Sequence, residues 1–398
     1  MSKNRLSQNP RGAWRQCAAA ALALFCAVGL NVNVFSLYLP YITELCRLTH
    51  SQAASFATIR SLFCCLAIIV VRRYYLRLDI RLGYTLAVMM SVLSYGVFCL
   101  FTDYRVLCIG AVLSGLSFGF GGMYPASILI HRWFLPNCHE GLALGICSAA
   151  TGLACTVFAP PITFFVERFS VQTAILIQIL LMTLCALLTF ALIRNYPDGS
   201  VRPSDSEHIR WTLRPSWMFA CILAIGALGI LGYQCVPMHY TCEGFLPYQI
   251  SVLVSLVGLA LTVGKFFMGA LLDRWGAFKT NRLFFALVTA GCVLFIIPGG
   301  FPVAILSVLL YGLGNCMGTV GLTAYAEDLS SPEEFAGTLQ LYQFAYPLGA
   351  LLFGQLPGLI ADHTGSYRLF FAVLAGLSVF SFSVIQLSYR KKKKTVKA

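Results

Sequence analysis

Charge is scarce in this chain. Only 11% of its 398 residues are Asp, Glu, Lys or Arg, while 58% are hydrophobic and the mean hydropathy is +0.78. Too few polar groups remain to cover a water-facing surface, which excludes an ordinary soluble globular protein. Acid is scarcer than base, with 15 Asp and Glu against 28 Lys and Arg, and none of the acids falls well inside an apolar run. The 16 cysteines include no CxxC pair and are scattered through the spans, so no metal and no cofactor is expected. Cys64, Cys65 and Cys147 read as small apolar helix residues. No set of His, Asp, Ser or Cys clusters at one membrane face, as a membrane-embedded enzyme would require. A membrane sensor would carry a signalling domain, and the tail after the last apolar run is about ten residues. Neither class has a sequence feature in its favour.

Long apolar runs are abundant instead. Segments of about twenty residues, enough to cross roughly 30 Å of hydrocarbon as helix, fall near 17–40, 50–71, 82–101, 106–130, 141–166 and 170–193. A second series falls near 215–239, 247–272, 282–298, 302–325, 335–361 and 369–389. The first run follows Lys3, Arg5, Arg11 and Arg15, lacks a clean cleavage pattern and is too long for a signal sequence. It is expected to be an uncleaved span. The fold class is therefore an all-α membrane protein of twelve transmembrane helices. One long hydrophilic break divides it: an N-terminal six-helix bundle (1–193), a central loop (194–214), and a C-terminal six-helix bundle with a basic tail (215–398).

Charge placement supports an even count. With both termini cytoplasmic, 22 of the 28 Lys and Arg lie inside, four (Arg47, Arg105, Arg168, Arg368) outside, and two within spans. That asymmetry follows the positive-inside rule in a cell-membrane protein, and an odd number of spans would scramble it. The net charge of +13 is mainly topological. The terminal "RKKKK" suits anionic lipid headgroups better than nucleic acid, and nothing calls for a second chain, so a monomer is expected.

Six plus six spans suggest an internal duplication with corresponding loops. After span 8 stands Gly269-Ala-Leu-Leu-Asp273-Arg274-Trp275-Gly276. Here the chain resembles the major facilitator superfamily, whose loops 2–3 and 8–9 carry G-x-x-x-D-R-x-G. The resemblance implies a conformational latch that breaks when the two halves rock. Its first-half counterpart, "VRRYYLRLDIRLG", keeps Arg77 and Arg81 but puts Leu76 and Asp79 where aspartate and glycine are usual. Arg132-Trp133-Phe134 and Gly141-Leu-Ala-Leu-Gly145-Ile146, with Gly152 and Pro160, resemble the monocarboxylate transporter and oxalate/formate exchanger branch. Glu140 replaces that branch's arginine.

The span interiors hold two charges, Arg60 in span 2 and Lys265 in span 8, both positive. Arg60 lies roughly 13 Å into its helix at 1.5 Å per residue, out of easy reach of either end. A central Arg costs at least about 2.5–3.5 kcal/mol and normally faces a cavity or a partner. With no interior carboxylate, that partner is either a substrate or the carbonyls of a neighbouring span. Lys265 either anchors an anion or snorkels towards headgroups near Asp273. The resemblance favours the anchor: the branch has a span-8 arginine four residues before a glycine, the spacing of Lys265 to Gly269, and that arginine binds the substrate carboxylate. Leu261 and Ala345 stand where relatives carry an aspartate and a second-carboxylate lysine, so a small monocarboxylate fits more simply than a dicarboxylate.

Asn31, Asn33, Tyr124, Tyr233, Gln234, Asn315, Tyr342, Gln343 and Tyr346 are polar or aromatic residues that either line such a cavity or bond between helices. Pro125, Pro237 and Pro347 mark expected kinks, and His239 an interfacial residue near a span end. The expected function is secondary transport of a small organic anion by alternating access, as an exchanger or with protons as the coupling partner. A multidrug or neutral-solute exporter is the alternative. Drug:proton antiporters of this superfamily generally use interior carboxylates, and this chain lacks them.

Overall fold

Hydrocarbon offers no partner to a free N–H or C=O, so an apolar run of this length satisfies its backbone by becoming helix. The computed structural model describes residues 10–134, 140–195, 217–330 and 335–395. Twelve of its helical segments are long and apolar enough to cross a membrane. Spans 1–6 are Gly12–Leu45, His50–Val71, Ile80–Leu100, Tyr104–Phe134, Ala143–Arg168 and Val171–Leu192. Spans 7–12 are Trp217–Cys242, Pro247–Leu272, Arg274–Ile296, Phe301–Leu329, Gly337–Thr364 and Arg368–Arg390. Eleven of the twelve expected spans have both ends within about a turn and a half of these. Span 9 differs: it is expected from 282, but its helix starts directly after Gly276, because the reversal after span 8 takes that single residue, at φ +73° and ψ 162°. Only glycine takes that left-handed conformation without strain, so the basic stretch is already helix. The central loop beyond Asn195 lies outside the described residues, as do the side chains beyond Arg390.

Among the described residues five spans are interrupted, four of them at corresponding places in the two halves. Spans 1 and 7 each contain a π-helical stretch, Phe25–Asn33 and Ala227–Leu231. Span 4 breaks at Gly122 and span 10 at a short 3₁₀ segment, Asn315–Gly318. Pro237 and Pro347 lie inside continuous helix, whereas span 11 breaks later, between Phe353 and Leu356. Interruption loosens backbone bonds, and polar side chains collect the carbonyls. Tyr95 Oη (2.6 Å) and Gln178 Nε2 (3.1 Å) both donate to Leu30 O. In the second half Tyr311 Oη donates to Leu228 O at 2.6 Å and Asn315 Nδ2 to Gly229 O at 3.2 Å.

The halves meet along three seams: span 5 against span 8, span 2 against span 11, and the distal part of span 1 against that of span 7. Distal here means the face opposite the termini. Among the described residues no interface of similar extent joins the terminal-face segments of spans 4 and 10. The contact therefore closes the distal face more fully than the face carrying the termini. Span 5 meets span 8 at Gly152 and Gly258. A Cβ on Gly258 would sit 2.7 Å from Gly152 O and 2.9 Å from the Cys155 Cβ. Small residues let the backbones touch where no hydrophobic effect draws helices together. Gly258→Ala is expected to destabilise this arrangement by about 1–3 kcal/mol through overpacking, read as a lower melting temperature in detergent. Gly376→Ala, whose Cβ would meet nothing within 4 Å, should leave the melting temperature unchanged or raised.

Candidate functional site

Among the described residues the buried ionisable cations are Arg60 and Lys265, each 4% exposed, and no Asp or Glu is buried with them. The two have different fates. Lys265 Nζ donates to Ser148 O at 2.7 Å and to Thr151 Oγ1 at 2.8 Å, both on span 5. Thr151 directs its own proton to Ser148 O (2.8 Å), which frees its oxygen to accept from the ammonium. Asn33 Nδ2 on span 1 donates to Thr151 O at 2.9 Å. Lys265 thus neither snorkels along its own helix nor opens into a chamber. It reaches across the seam and ties the halves together through neutral oxygens.

Arg60 has no such arrangement. Its guanidinium carbon lies 5.4 Å from the centroid of the Phe35 ring, and no hydrogen bond or ion pair holds it among the described residues. It lines a cavity of about 20 Å³ between the halves, room for about one water. Span 1 contributes Phe35 and Leu39, span 2 Phe56 and Ala57, span 7 Leu231, Gln234 and Met238, and span 11 Gly354 and Pro357. Gln234 is 5% exposed, and its Nε2 has no hydrogen-bond partner.

The other expected site residues scatter. Asn31 is spent within the first half: its Nδ2 donates to Ala27 O and Ser114 O, both at 3.1 Å, and Oδ1 accepts from Ser114 Oγ at 2.9 Å. Asn315 serves the interrupted span 7, as described. Tyr233 is buried at the seam beside Cys155 of the other half. Tyr342 is buried on span 11 and Tyr124 half-buried against Tyr75, and neither lines the Arg60 cavity. His239, expected at the membrane interface, is instead 2% exposed and packed against Tyr240, Phe295 and Phe371.

Of the expected latch, Gly269 faces open space, Gly276 makes the reversal, and Arg274 is exposed beside it. The Asp273 side chain lies outside the described residues. Arg77 is exposed at the end of the span 2 helix. Arg81 is bound within its own half, its Nε donating to Phe190 O at 2.5 Å and its guanidinium 4.0 Å from the Phe190 ring.

A second closure, missed at the sequence level, lies on the distal face. Asp362 of span 11 accepts from the backbone N–H of His50 (2.8 Å), from that of Ser51 (2.9 Å) and from the Ser51 hydroxyl. His50 Nδ1 and the Tyr367 hydroxyl share a hydrogen bond of 3.0 Å. A carboxylate from one half thereby caps the first turn of a helix in the other, where free N–H groups and the helix dipole favour negative charge. The Thr49-x-x-Gln52 capping box marks that helix start in the sequence, but its partner is 311 residues away.

Twelve spans in two matching halves, with interrupted helices and a cavity at the seam, define a two-bundle membrane transporter fold. The model described as Major Facilitator Superfamily matches residues 21–297 and 236–398, and the chain belongs to that superfamily. Monocarboxylate transporter 12 of Xenopus laevis is 26% identical over 355 residues, covering 78% of this chain and 73% of that protein. Transcription regulatory protein OpdE of Pseudomonas aeruginosa is 24% identical over 403 residues, covering 97% of each. The crystal structure of nucleoside transporter NupG superposes with a TM-score of 0.71 at 13% identity, covering 94% of this chain and 98% of that one. A point mutant of the same transporter superposes with a TM-score of 0.72. Likeness at that identity extends to the fold.

A helix cap of the Asp362 kind contributes about 1 kcal/mol. Asp362→Ala should therefore part the distal ends more often and expose Cys235, which lines the cavity beneath and is 8% exposed. Alkylation of Cys235, followed by peptide mass spectrometry, should accelerate several-fold. An unchanged rate would mean that the carboxylate does not hold this closure.

Proposed function

We propose that the protein is a secondary active carrier of a small organic anion, a monocarboxylate in the simplest case, working by alternating access. One observation carries this reading: a buried guanidinium, without a hydrogen bond or ion pair among the described residues, facing a cavity between the two halves. A desolvated cation in such a place is stabilised by a mobile anion more than by any group the surrounding helices present. The lack of buried carboxylates among the described residues disfavours the drug-exporter alternative, and the alignment with monocarboxylate transporter 12 points the same way.

Arg60 is then the primary contact. Lys265 is a tie between the halves that must let go of Ser148 and Thr151 when spans 5 and 8 part, and it becomes available to an anion at that moment. With the termini cytoplasmic in the cell membrane, the state described here is closed to the outside. An empty carrier keeps Arg60 unpaired as it reorients, which slows its return and favours exchange. Loss of a proton from Lys265 would give proton-linked movement instead. A membrane sensor is the second reading, supported by the end-to-end alignment with a protein named as a transcription regulator.

Proteoliposomes carrying the purified protein should accumulate radiolabelled short monocarboxylates in counterflow. Arg60→Gln should abolish uptake. Lys265→Ala should abolish it as well, with part restored in Lys265→Arg, which keeps the charge. Full uptake in both Arg60→Gln and Lys265→Ala would remove the anion reading. Binding without transport in the wild type would favour the sensor. Net uptake under an imposed pH gradient, with no internal substrate, would exclude obligatory exchange.

A further inference from the structure

The Arg60 cavity contains a second unpartnered group, and it belongs to the other half of the molecule. Gln234 of span 7 is 5% exposed, lines the same cavity as Arg60 of span 2, and leaves its Nε2 without an acceptor. A buried amide N–H without a partner costs free energy, as a buried unpaired guanidinium does. Two donors deprived of acceptors at one small cavity share one remedy, a single group with two acceptor oxygens. We propose, resting on the carrier reading above, that the substrate carboxylate is held between the Arg60 guanidinium and the Gln234 amide, and that the rest of the cavity selects a monocarboxylate with a short apolar body.

The lining decides the class. Apart from these two side chains, the walls are mainly apolar, with Phe35, Leu39, Phe56, Leu231 and Met238, and they also include Cys235 and Tyr367. A hydroxyl on the guest meets mostly hydrocarbon, since the Tyr367 hydroxyl is already shared with His50. A second carboxylate meets no second cation, because Lys265 does not line the cavity and is bonded to Ser148 and Thr151. The cavity in this state holds about one water, so the guest is admitted when the halves part and is gripped as they close. Since one donor sits on each half, the carboxylate itself bridges the seam. Bound anion thus favours the closed, occluded arrangement, the step that an empty carrier makes reluctantly.

The test uses the full-length protein in lipid nanodiscs, with butyrate, 3-hydroxybutyrate and succinate as probes in calorimetric titration. Wild type should bind butyrate, bind 3-hydroxybutyrate at least about 10-fold more weakly, and show no binding of succinate. Gln234→Leu keeps the size of the side chain and removes the amide. It should weaken butyrate about 10–100-fold, the loss of one hydrogen bond to a charged group. The same substitution should leave the melting temperature of the empty protein unchanged or raised, since it replaces an unsatisfied buried amide by hydrocarbon. A merely structural glutamine would instead lower the melting temperature. Unchanged butyrate affinity in Gln234→Leu, with affinity lost in Arg60→Gln, would overturn the proposal and leave the carrier reading standing. Succinate binding as tightly as butyrate would overturn the assigned class. Failure of the wild type to bind or transport any of the three would sink the carrier reading, and this proposal with it.

Discussion

A cation removed from water must find negative charge or a full set of neutral acceptors, and this constraint organises the seam between the two halves. Lys265 meets it with two oxygens of span 5, at 2.7 and 2.8 Å. An ammonium is compact and has three donors, so a carbonyl and a hydroxyl go far towards satisfying it. Arg60 carries five donors in a rigid fork and faces the ring of Phe35. The π face returns part of the lost hydration, about 2 kcal/mol when desolvated, and satisfies none of the N–H groups. The closed state is therefore settled around Lys265 and unsettled around Arg60.

Interrupted helices make that imbalance mechanically useful. Spans 1, 4, 7 and 10 carry their irregular turns at corresponding depths, and the loosened carbonyls at Leu30, Leu228 and Gly229 are held by side chains of their own half. Each half is thereby stiffened internally. Among the described residues the bonds that cross the seam are local: the Lys265 tie, the Asp362 cap with the His50–Tyr367 bond beside it, single hydrogen bonds such as Thr262 to Ala149 O and Gln355 to Thr58, and close glycine contacts between spans 5 and 8. A structure with strong bonds within its halves and separable ones between them moves as two bodies, the shear and rocking repertoire expected of packed helices.

Much of this was legible in the sequence. Apolar runs fix the spans because hydrocarbon imposes helix on any segment long enough to cross it. Gly269, Asp273, Arg274 and Gly276 marked the reversal after span 8, although not that Gly276 alone would suffice. The two interior cations stood out against the missing acids. Direction was not legible. A hydropathy pattern gives the depth of a residue but not the rotation of its helix, so Asn31 and Asn315 read like Gln234. The first two are consumed by the backbone of interrupted spans, and the third faces the cavity. Lys265 pointing across to span 5 depends on how closely Gly152 and Gly258 let two helices approach. The Asp362 cap joins positions more than three hundred residues apart, and neither side shows its partner locally.

The asymmetry between the two cations also bears on which of them can carry specificity. A group whose bonds are complete in the closed state gains little when a guest arrives, because each new contact replaces an existing one. A group whose bonds are missing gains the whole interaction. By that difference an anion contributes most at Arg60, where nothing is displaced, and least at Lys265, where Ser148 and Thr151 must first be surrendered. A ligand shifts a conformational equilibrium only by its differential affinity for the two states. On the proposed carrier reading, the site that drives closure is accordingly the one left incomplete by the protein, the Arg60 cavity beneath the Asp362 cap, between spans 2 and 7.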